Sequence, residues 1–309
     1  MSEARAVLAV DAGQTGVKVR LDRDGHRTEL QFDGIRTNAA LLPQLARVVD
    51  AVRLDSGTPI DAASFGVSGL TGEEADAANL LPLLGGSGVR RVLLGHDSIT
   101  SFLGALGDVA GAVVAAGTGV VTLAVGETKV ARVDGWGNIM GDSGSGYWIG
   151  REALDVALRA HDGRGAPTAL LDVLRERWPD VENAYIDLQT DPDRVRVVAS
   201  FAEAVGQLAD SDAAATQIAL RAAREISRSV VAGLERVQGT VRAPELVCAI
   251  GGVFSSPVIR DRFESLVCEA RDTVSIARPR GQGLDGAALL PTLSLDHPLR
   301  AHVSVAAAV

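Results

Sequence analysis

The chain begins the same short pattern twice, at residues 6 and 112. "AVLAVDAGQTGVKVRL" and "AVVAAGTGVVTLAV" each consist of an apolar run, a glycine-rich turn and a second apolar run. Apolar runs joined by a short glycine turn are typical of paired strands. Their repetition predicts two related α/β domains, which we place at residues 1–110 and 111–309.

The spacing of apolar residues predicts the remaining elements. A third strand at 28–32 and a helix at 40–54, with Asn38 in the N-cap position, continue a βββαβαβα pattern in the first domain. The second domain is predicted to be mainly helical after its opening loop, with a buried strand at 245–252 and a final helix from about 285. We see no linker between the halves, so residues 108–111 are interpreted as a hinge.

Composition excludes several classes of protein. The chain has 309 residues, of which 47% are hydrophobic, enough for two cores. A net charge of -9 disfavours a nucleic-acid partner. Two cysteines, Cys248 and Cys268, cannot form a disulfide framework or a multi-cysteine zinc site. Because we find neither a signal peptide nor a membrane-spanning stretch, we expect a soluble cytoplasmic protein without a membrane partner.

The glycine turns have two interpretations. Each turn alone can be no more than a hairpin connection. Two copies, together with Gly251 and Gly252 at the end of a strand, favour a phosphate site, because backbone N–H groups without a nearby Cβ can approach a polyanion. The chain has no P-loop motif, and "GQGLDG" (281–286) leaves too little chain for a dinucleotide-binding unit. We interpret that stretch as a strand-to-helix turn.

Five motifs in order carry a wider resemblance. They are "DAGQTGVK" (11–18), "GHDS" (95–98), "AAGTGV" (115–120), "GWGNIMGDSGSGYWIG" (135–150) and "AIGGVF" (249–254). Together they resemble the actin and sugar-kinase superfamily and, within it, the N-acetylglucosamine kinase group of the BadF/BadG/BcrA/BcrD ATPase family. The resemblance implies an α/β fold of two ribonuclease-H-like (actin-like ATPase) domains, with an interdomain cleft that closes on ATP, Mg²⁺ and a sugar.

The resemblance also implies roles for individual residues. The expected ATP-binding residues are Gly13, Gln14, Thr15, Lys18, Gly117, Thr118, Gly119, Gly251 and Gly252. The expected sugar-binding residues are Asn38, Asp97, Gly141 and Asp142. Asp97 corresponds to the catalytic base, and Asp11 lies near Mg²⁺, which it would hold through water. Ser143 departs from the family, where an acidic residue is common.

Simpler structural roles stay open for some of these residues. Asp97 lies between a strand and a helix, where an aspartate is a good N-cap, and it can serve as cap and base together. Asp142 can stabilise the helix that follows it, or accept hydrogen bonds from sugar hydroxyls in a loop made tight by glycines. For Trp136 and Trp148 we expect positions in the core.

Other functions remain as alternatives. "GDSGSG" resembles the nucleophile loop of trypsin-like serine hydrolases, with Ser143 as nucleophile, but that scaffold is all-β and no histidine lies in a suitable context. The activator ATPases of the same family share an iron-sulfur cluster, which requires thiolates. A non-catalytic sugar sensor or an actin-like structural protein is a third alternative.

The function expected is ATP-dependent phosphorylation of an amino sugar, N-acetylglucosamine to its 6-phosphate, in which a carboxylate orients and deprotonates the hydroxyl. Glucosamine, N-acetylmannosamine, N-acetylmuramic acid and glucose stay open as substrates. The sequence is also compatible with a homodimer.

Overall fold

The computed structural model describes residues 6–239 and 244–308. They form two compact units. The first unit contains the chain up to Ala110, Glu127–Val130 and the segment from Arg278 onward, and the second contains Gly111–Gly126 and Ala131–Ala277.

The strands and helices alternate along the chain. The strands are β1 (Ala6–Ala12), β2 (Val17–Arg23), β3 (His26–Phe32), β4 (Ala62–Val67), β5 (Arg91–His96), β6 (Gly111–Ala116), β7 (Val120–Val125), β8 (Val130–Asp134), β9 (Glu245–Ile250), β10 (Val274–Ala277) and β11 (Ser304–Ala307). The α-helices are α1 (Leu41–Ser56), α2 (Ala77–Leu80), α3 (Asp97–Leu106), α4 (Gly146–His161), α5 (Leu170–Arg177), α6 (Ala184–Thr190), α7 (Arg194–Leu208), α8 (Ala213–Val237), α9 (Pro257–Ala270) and α10 (Gly283–Leu289). The predicted βββαβαβα order of the first domain is confirmed.

The two sheets repeat one strand order. The sheet of the first unit runs β11-β5-β4-β1-β2-β3, and that of the second runs β10-β9-β6-β7-β8. In each, an antiparallel hairpin (β1–β2, β6–β7) is followed by strands parallel to its first member. This shared order confirms the two related α/β domains that the duplicated sequence pattern predicts, and it agrees with the ribonuclease-H-like fold that the family resemblance implies.

Each unit has its own apolar core. In the first unit, strand residues such as Leu8 and Phe65 pack with Leu45 of α1. In the second, the long helix α8 presents a buried stripe that includes Ile218, Ala222 and Ile226, at the spacing that places side chains on one helix face. The central strands, such as β1, β4 and β6, are buried because helices cover them, which explains their nearly continuous apolar runs, whereas the edge strand β3 is mostly exposed and polar.

The C-terminal segment differs from the sequence prediction, which placed residues 278–309 in the second domain. In the structure β11 pairs with β5, and Leu284 of α10 is buried against Ala9 of β1. Helix α10 also packs closely on α3, where a Cβ on Gly104 or Gly286 would overlap the other helix's backbone. These long-range contacts place the segment in the first unit.

The start of α1 also corrects a prediction. The N-cap position is Ala40, which makes no side-chain cap, and not Asn38. The side chain of Glu74 replaces the missing cap, because its Oε1 accepts a hydrogen bond from the backbone N–H of Leu41 at 2.7 Å. Asn38 lies exposed in the turn before the helix.

Candidate active site

In the first unit, three parallel strands end beside one another. Asp11 of β1 pairs with Gly66 of β4, which pairs with Gly95 of β5. Asp97 begins α3 directly after β5. Because parallel strands present their carboxyl ends at one edge of a sheet, Asp11 and Asp97 lie at the same edge, where α/β proteins commonly bind ligands.

Asp97 is not the N-cap of α3. The N-cap is His96, whose Nδ1 lies 3.2 Å from the backbone N–H of Ser98 that donates to it. Asp97 occupies the first helical turn, with 30% of its side chain exposed. Its Oδ1 is buried, so the exposed part of the carboxylate includes the other oxygen. The simpler capping role for Asp97 is therefore wrong.

The two aspartates at this edge titrate differently. Burial acts to raise the pKa of Asp97, but His96, Ser68 and the backbone N–H of Ser98 outweigh it, so the pKa is lowered. Burial and the negative charge of Asp97 raise the pKa of Asp11 to about 6, against the opposing effect of Lys18. Asp97 is therefore ionised at neutral pH and able to accept a proton.

The first glycine turn joins β1 to β2. The backbone N–H of Gly13 donates to the carbonyl oxygen of Gly16 at 3.1 Å, and the carbonyl of Gly13 accepts from Ile35 at 3.0 Å. Gln14 and Thr15 are exposed at its tip. The turn is thus held at its base while its tip is accessible to a ligand.

Lys18 lies beside this turn, opposite Asp11 in the β1–β2 register. Its Nζ donates to Oε1 of Gln282 at 2.7 Å, and both residues line a cavity of about 340 Å³. On the neighbouring face of the site, a Cβ on Gly283 would lie 2.7 Å from Oδ2 of Asp11, so the carboxylate of Asp11 faces the start of α10. The C-terminal segment therefore forms part of the site, which the sequence division did not predict.

In the second unit, residues 117–119 form a tight loop on the start of α4. Gly117 N–H donates to the carbonyl of Gly119 at 2.9 Å, and the carbonyls of Gly117 and Thr118 accept from Gly146 and Tyr147 at 2.7 and 3.0 Å. A Cβ on Gly146 would lie 2.9 Å from the Gly117 oxygen. Glycine is thus required for the close approach of the loop to the helix.

The second pair of predicted glycines meets this loop. Gly251 has a φ of 104°, and a Cβ there would lie 2.6 Å from the carbonyl carbon of Ala116, the residue before Gly117. Gly252 has no atom within 4 Å of its Cβ position. The structure therefore brings together the second-loop glycines and the Gly251–Gly252 pair within one unit.

These residues open onto a cavity of about 750 Å³. Its lining comes from the 117–119 loop, α4, α7 and the start of α9, and includes Thr118, Ile149, Arg196, Glu203, Gln207, Gly252 and Ser256. Ser256 is 8% exposed, and its Oγ has no hydrogen-bond partner. The sequence predicts a helix at 193–209, but sequence reasoning did not assign that helix or Ser256 to the site, although Ala199, Ala202 and Gly206 follow a helical spacing that places small residues on one face.

Asp142 organises its own loop. Its Oδ1 accepts from Gly137 N–H at 3.1 Å, and Asp134 accepts from the N–H groups of Asp142 and Ser143 at 2.8 and 3.1 Å. Both aspartates have positive φ, near 60°, which aspartate tolerates better than most residues. Burial raises the pKa of Asp142, and the charge of Asp134 adds to this.

Asp142 also connects two predicted motifs. It is 7% exposed, and a Cβ on Gly119 would lie 2.7 Å from its Oδ2. Gly141 is equally confined, because a Cβ there would lie 2.7 Å from Oδ1 of Asp134 and from Cβ of Trp136. The structure thus places Gly141 and Asp142 beside the second glycine loop.

The prediction that Trp136 lies in the core is wrong. Its side chain is 65% exposed, with the Arg132 guanidinium 5.6 Å from the ring centroid. Ile139 and Met140 in the same loop are 92% and 83% exposed. Trp148, in contrast, is half-buried against the core of the second unit. The loop glycines leave Trp136 without the packed element that would cover it.

The strand orders and glycine loops define the class of fold, that of the sugar kinases and actin-like ATPases. A proposed N-acetylglucosamine kinase from Chromobacterium violaceum matches with a TM-score of 0.74 and 22% identity, over 92% of this chain and 98% of that chain. A second, from Porphyromonas gingivalis, matches with a TM-score of 0.70 and 20% identity, over 93% and 100%.

The chain belongs to the BadF/BadG/BcrA/BcrD ATPase family, which residues 60–290 match. An N-acetylmuramic acid/N-acetylglucosamine kinase from Clostridium acetobutylicum is 24% identical over 307 residues, covering 94% of this chain and 99% of that protein. An N-acetyl-D-glucosamine kinase from Dictyostelium discoideum is 41% identical over 84 residues, 26% of each protein. Membership of this family implies the use of ATP.

The cysteines and Ser143 bear on the alternative functions. Cys248 is buried in β9, where burial raises its pKa to about 11 and so opposes the thiolate that an iron-sulfur cluster needs. Ser143 lies in an α/β fold and not in the all-β scaffold of trypsin-like hydrolases. Among residues 6–239 and 244–308, no helix combines the length and hydropathy of a membrane span.

Proposed function

We propose that the protein transfers the γ-phosphoryl group of ATP to a hydroxyl of an amino sugar. The substrate proposed is N-acetylglucosamine, and the product is its 6-phosphate. The observation that supports this most is the carboxylate of Asp97, which is ionised, partly exposed and placed at the strand ends. The family is an ATPase family, and the curated relatives are named as kinases of N-acetylated amino sugars.

The nucleotide is assigned to the glycine loops. In the second unit, the 117–119 loop and Gly252 bind the nucleotide, with its nucleoside in the 750 Å³ cavity, where the unpartnered Oγ of Ser256 is available to hydrogen-bond it. In the first unit, Gln14 and Thr15 present backbone N–H groups to phosphate at the exposed tip of the turn, Gly13 holds the base of the turn, and Lys18 adds a positive charge.

The sugar is assigned to Asp97, Asn38, Gly141 and Asp142. Asn38 is exposed and free to hydrogen-bond a hydroxyl. Gly137 N–H already occupies Oδ1 of Asp142, so a sugar contact there would use Oδ2. Because Asp142 also fixes the loop, we expect its role to be in holding the sugar and not in moving its proton.

Asp11 fits the role expected for it with Mg²⁺. Burial and the negative charge of Asp97 raise the pKa of Asp11 to about 6, and carboxylate oxygens suit a hard cation. Among the described residues no cluster of three or more acidic, His or Cys groups forms a metal site, and Mg²⁺ needs only one or two carboxylates besides water and phosphates. When bound, Mg²⁺ would offset charge on the phosphates.

The proposed reaction needs little covalent chemistry from the protein. Asp97 accepts the proton of the sugar hydroxyl as its oxygen bonds to the γ-phosphorus. The bond from that phosphorus to the β,γ-bridging oxygen breaks, and ADP leaves with the electron pair. The chain thus orients the hydroxyl, removes its proton and binds the phosphates.

A coupled ADP-release assay tests the proposal. ATP is supplied with N-acetylglucosamine, N-acetylmuramic acid, N-acetylmannosamine, glucosamine or glucose in parallel. We expect the largest stimulation with an N-acetylated sugar. No stimulation by any of the five would overturn the kinase proposal, and stimulation by N-acetylmuramic acid alone would move the substrate assignment to that sugar. A cytoplasmic location and a homodimer stay predictions.

A further inference from the structure

Lysine is rare in this chain. Of its 30 Lys and Arg residues only two are lysines, Lys18 and Lys129. Lys18 lies beside the first glycine turn, and its Nζ donates a hydrogen bond to Oε1 of Gln282 at 2.7 Å. Gln282 belongs to the GQGLDG stretch at 281–286, which the proposed reaction does not use. The contact therefore connects an unused motif to a residue proposed to bind phosphate.

The backbone of Gln282 is fixed on both sides. Its N–H donates to Oδ2 of Asp285 at 2.7 Å, and its carbonyl accepts from Gly286 N–H at 3.1 Å. The same carbonyl packs against Gly104 of α3 so closely that a Cβ there would overlap it. Asp285 also accepts from the buried guanidinium of Arg20 on β2 at 2.8 Å. The side chain of Gln282 thus extends from a fixed position toward Lys18.

The start of α10 does not itself require glutamine. Gln282 is the N-cap residue and forms a capping box with Asp285. In that motif the N-cap residue is ordinarily Ser or Thr, whose short side chain reaches the N–H groups of the first turn. What glutamine adds is length, and the added length brings its amide oxygen to the ammonium group of Lys18. The contact with Lys18 explains the residue type, and the cap does not.

The contact leaves the charge of Lys18 available. Lys18 lies opposite Asp11 in an antiparallel pair, and residues in that relation share one face of a sheet. Even so, within the described part of the chain no ion pair joins Lys18 to Asp11. An ammonium group has three N–H donors, and Gln282 uses one of them. The neutral amide therefore holds the ammonium without neutralising it and leaves two donors for phosphate oxygens.

We propose that Gln282 is a positioning residue for Lys18, which fixes the ammonium group for the phosphates of ATP before the nucleotide binds. A lysine side chain loses rotational freedom when a ligand fixes it, and a contact made beforehand removes part of that cost. The C-terminal segment thereby supports nucleotide binding through a residue that need not touch the nucleotide. The effect on ATP rests on the proposed function; the contact between the two side chains does not.

ATP titrations without sugar test the effect on binding. Gln282→Ser removes the contact and keeps a good N-cap, so its Tm should stay within about 2 °C of the wild type. Because the contact is exposed to water, we expect the dissociation constant for ATP to rise only about three- to tenfold. In the Lys18→Met background, Gln282→Ser should cause no further loss, because it acts through Lys18. Adenosine, which has no phosphate, should bind equally well to the wild type and Gln282→Ser.

The second lysine is the matched control. Lys129 is exposed in the turn before β8, and Lys129→Met should leave ATP binding unchanged. Unchanged or tighter ATP binding by folded Gln282→Ser would overturn the proposal, as would an equal loss in both backgrounds or an equal loss for adenosine. A loss in Lys129→Met as large as that in Lys18→Met would also overturn it, because ATP affinity would then follow net charge and not position.

NMR of the ammonium groups separates this proposal from the proposed function. Because the chain has two lysines, ¹⁵N-lysine labelling gives two side-chain signals, which Lys18→Met assigns. In the nucleotide-free wild type, we expect the ammonium protons of Lys18 to exchange with water more slowly than those of Lys129. This difference should disappear in Gln282→Ser. Equal exchange rates in the wild type overturn the proposal whatever the activity, whereas slow exchange at Lys18 in a protein that binds no ATP overturns only the proposed function.

Discussion

Gly251→Ala should separate what glycine does for the fold from what it does for the nucleotide. Gly251 has a φ of 104° and a ψ of 165°, a conformation that is essentially restricted to glycine. The added Cβ would lie 2.6 Å from the carbonyl carbon and 3.0 Å from the nitrogen of Ala116. Both neighbours are backbone atoms, so relief requires the end of β6 to move, together with the 117–119 loop that follows it.

The magnitude follows from these two effects. Backbone strain of this kind costs about 1–3 kcal/mol, and overpacking adds a similar amount, so we expect a loss of roughly 2–6 kcal/mol in the free energy of unfolding. For a domain of this size that corresponds to a fall of about 4–24 °C in Tm. Because the shift displaces the phosphate loop, the KM for ATP should also rise, by about tenfold.

The neighbouring glycine provides the control. Gly252→Ala adds the same methyl group where no atom lies within 4 Å, so its Tm should stay within about 2 °C of the wild type. Its side chain would enter the cavity, so the KM for ATP should rise without a loss of stability. Thermal unfolding and ATP titrations of both variants measure this. Equal Tm values for the two variants would refute the steric argument, and an unchanged KM in both would refute the nucleotide assignment.

Three further changes test other parts of the structure. Asp142→Asn should raise the sugar KM more than it lowers kcat, and the reverse split in steady-state kinetics would assign Asp142 to proton transfer. Asp212→Ala removes the cap of α8 and an acceptor for Ala169 N–H, and should cost about 1–3 kcal/mol in urea unfolding at neutral pH. Burial opposes ionisation of Asp212, but its hydrogen bonds lower its pKa, so this stabilisation is present above the ordinary aspartate pKa and is lost as pH falls through the folded-state value. The difference between the two proteins should shrink in acid, and a constant difference would contradict this. Arg271→Ala breaks a buried bidentate pair with Glu245 and should cost about 3–5 kcal/mol, whereas a loss below about 1 kcal/mol would contradict the value of that pair.

The strands and their glycine turns could be predicted because they depend on local chemistry. Apolar runs such as 6–10 must be covered, and the glycines at 117, 119 and 251 lie where the backbone approaches another segment closely. Asp97 was identified differently, from the resemblance of "GHDS" (95–98) to the family's motif. The structure explains its place, because a carboxylate after a buried strand lies at the sheet edge.

The rest depends on contacts that local patterns do not show. Residues 304–307 return to pair with β5, and no spacing in the sequence indicates that long-range pairing. His96 is an unusual N-cap, so capping preferences pointed to Asp97 in its place. Trp136 has a large apolar side chain of the kind that is usually buried, but it lies in a glycine-rich loop and its side chain is 65% exposed.

The central claim is that the protein moves a phosphoryl group from ATP to a sugar with Asp97 as base. The most direct test is to follow ADP and the sugar phosphate together, by ³¹P NMR, in reactions of the wild type and Asp97→Asn with ATP, Mg²⁺ and N-acetylglucosamine. Asp172→Asn is the matched control, because Asp172 is also an acidic residue in a first helical turn, that of α5. We predict equal amounts of ADP and N-acetylglucosamine 6-phosphate from the wild type and the control. For folded Asp97→Asn we predict that the rate falls by a factor of about 10² or more. ADP without sugar phosphate, or an Asp97→Asn variant as fast as the wild type, would contradict the claim.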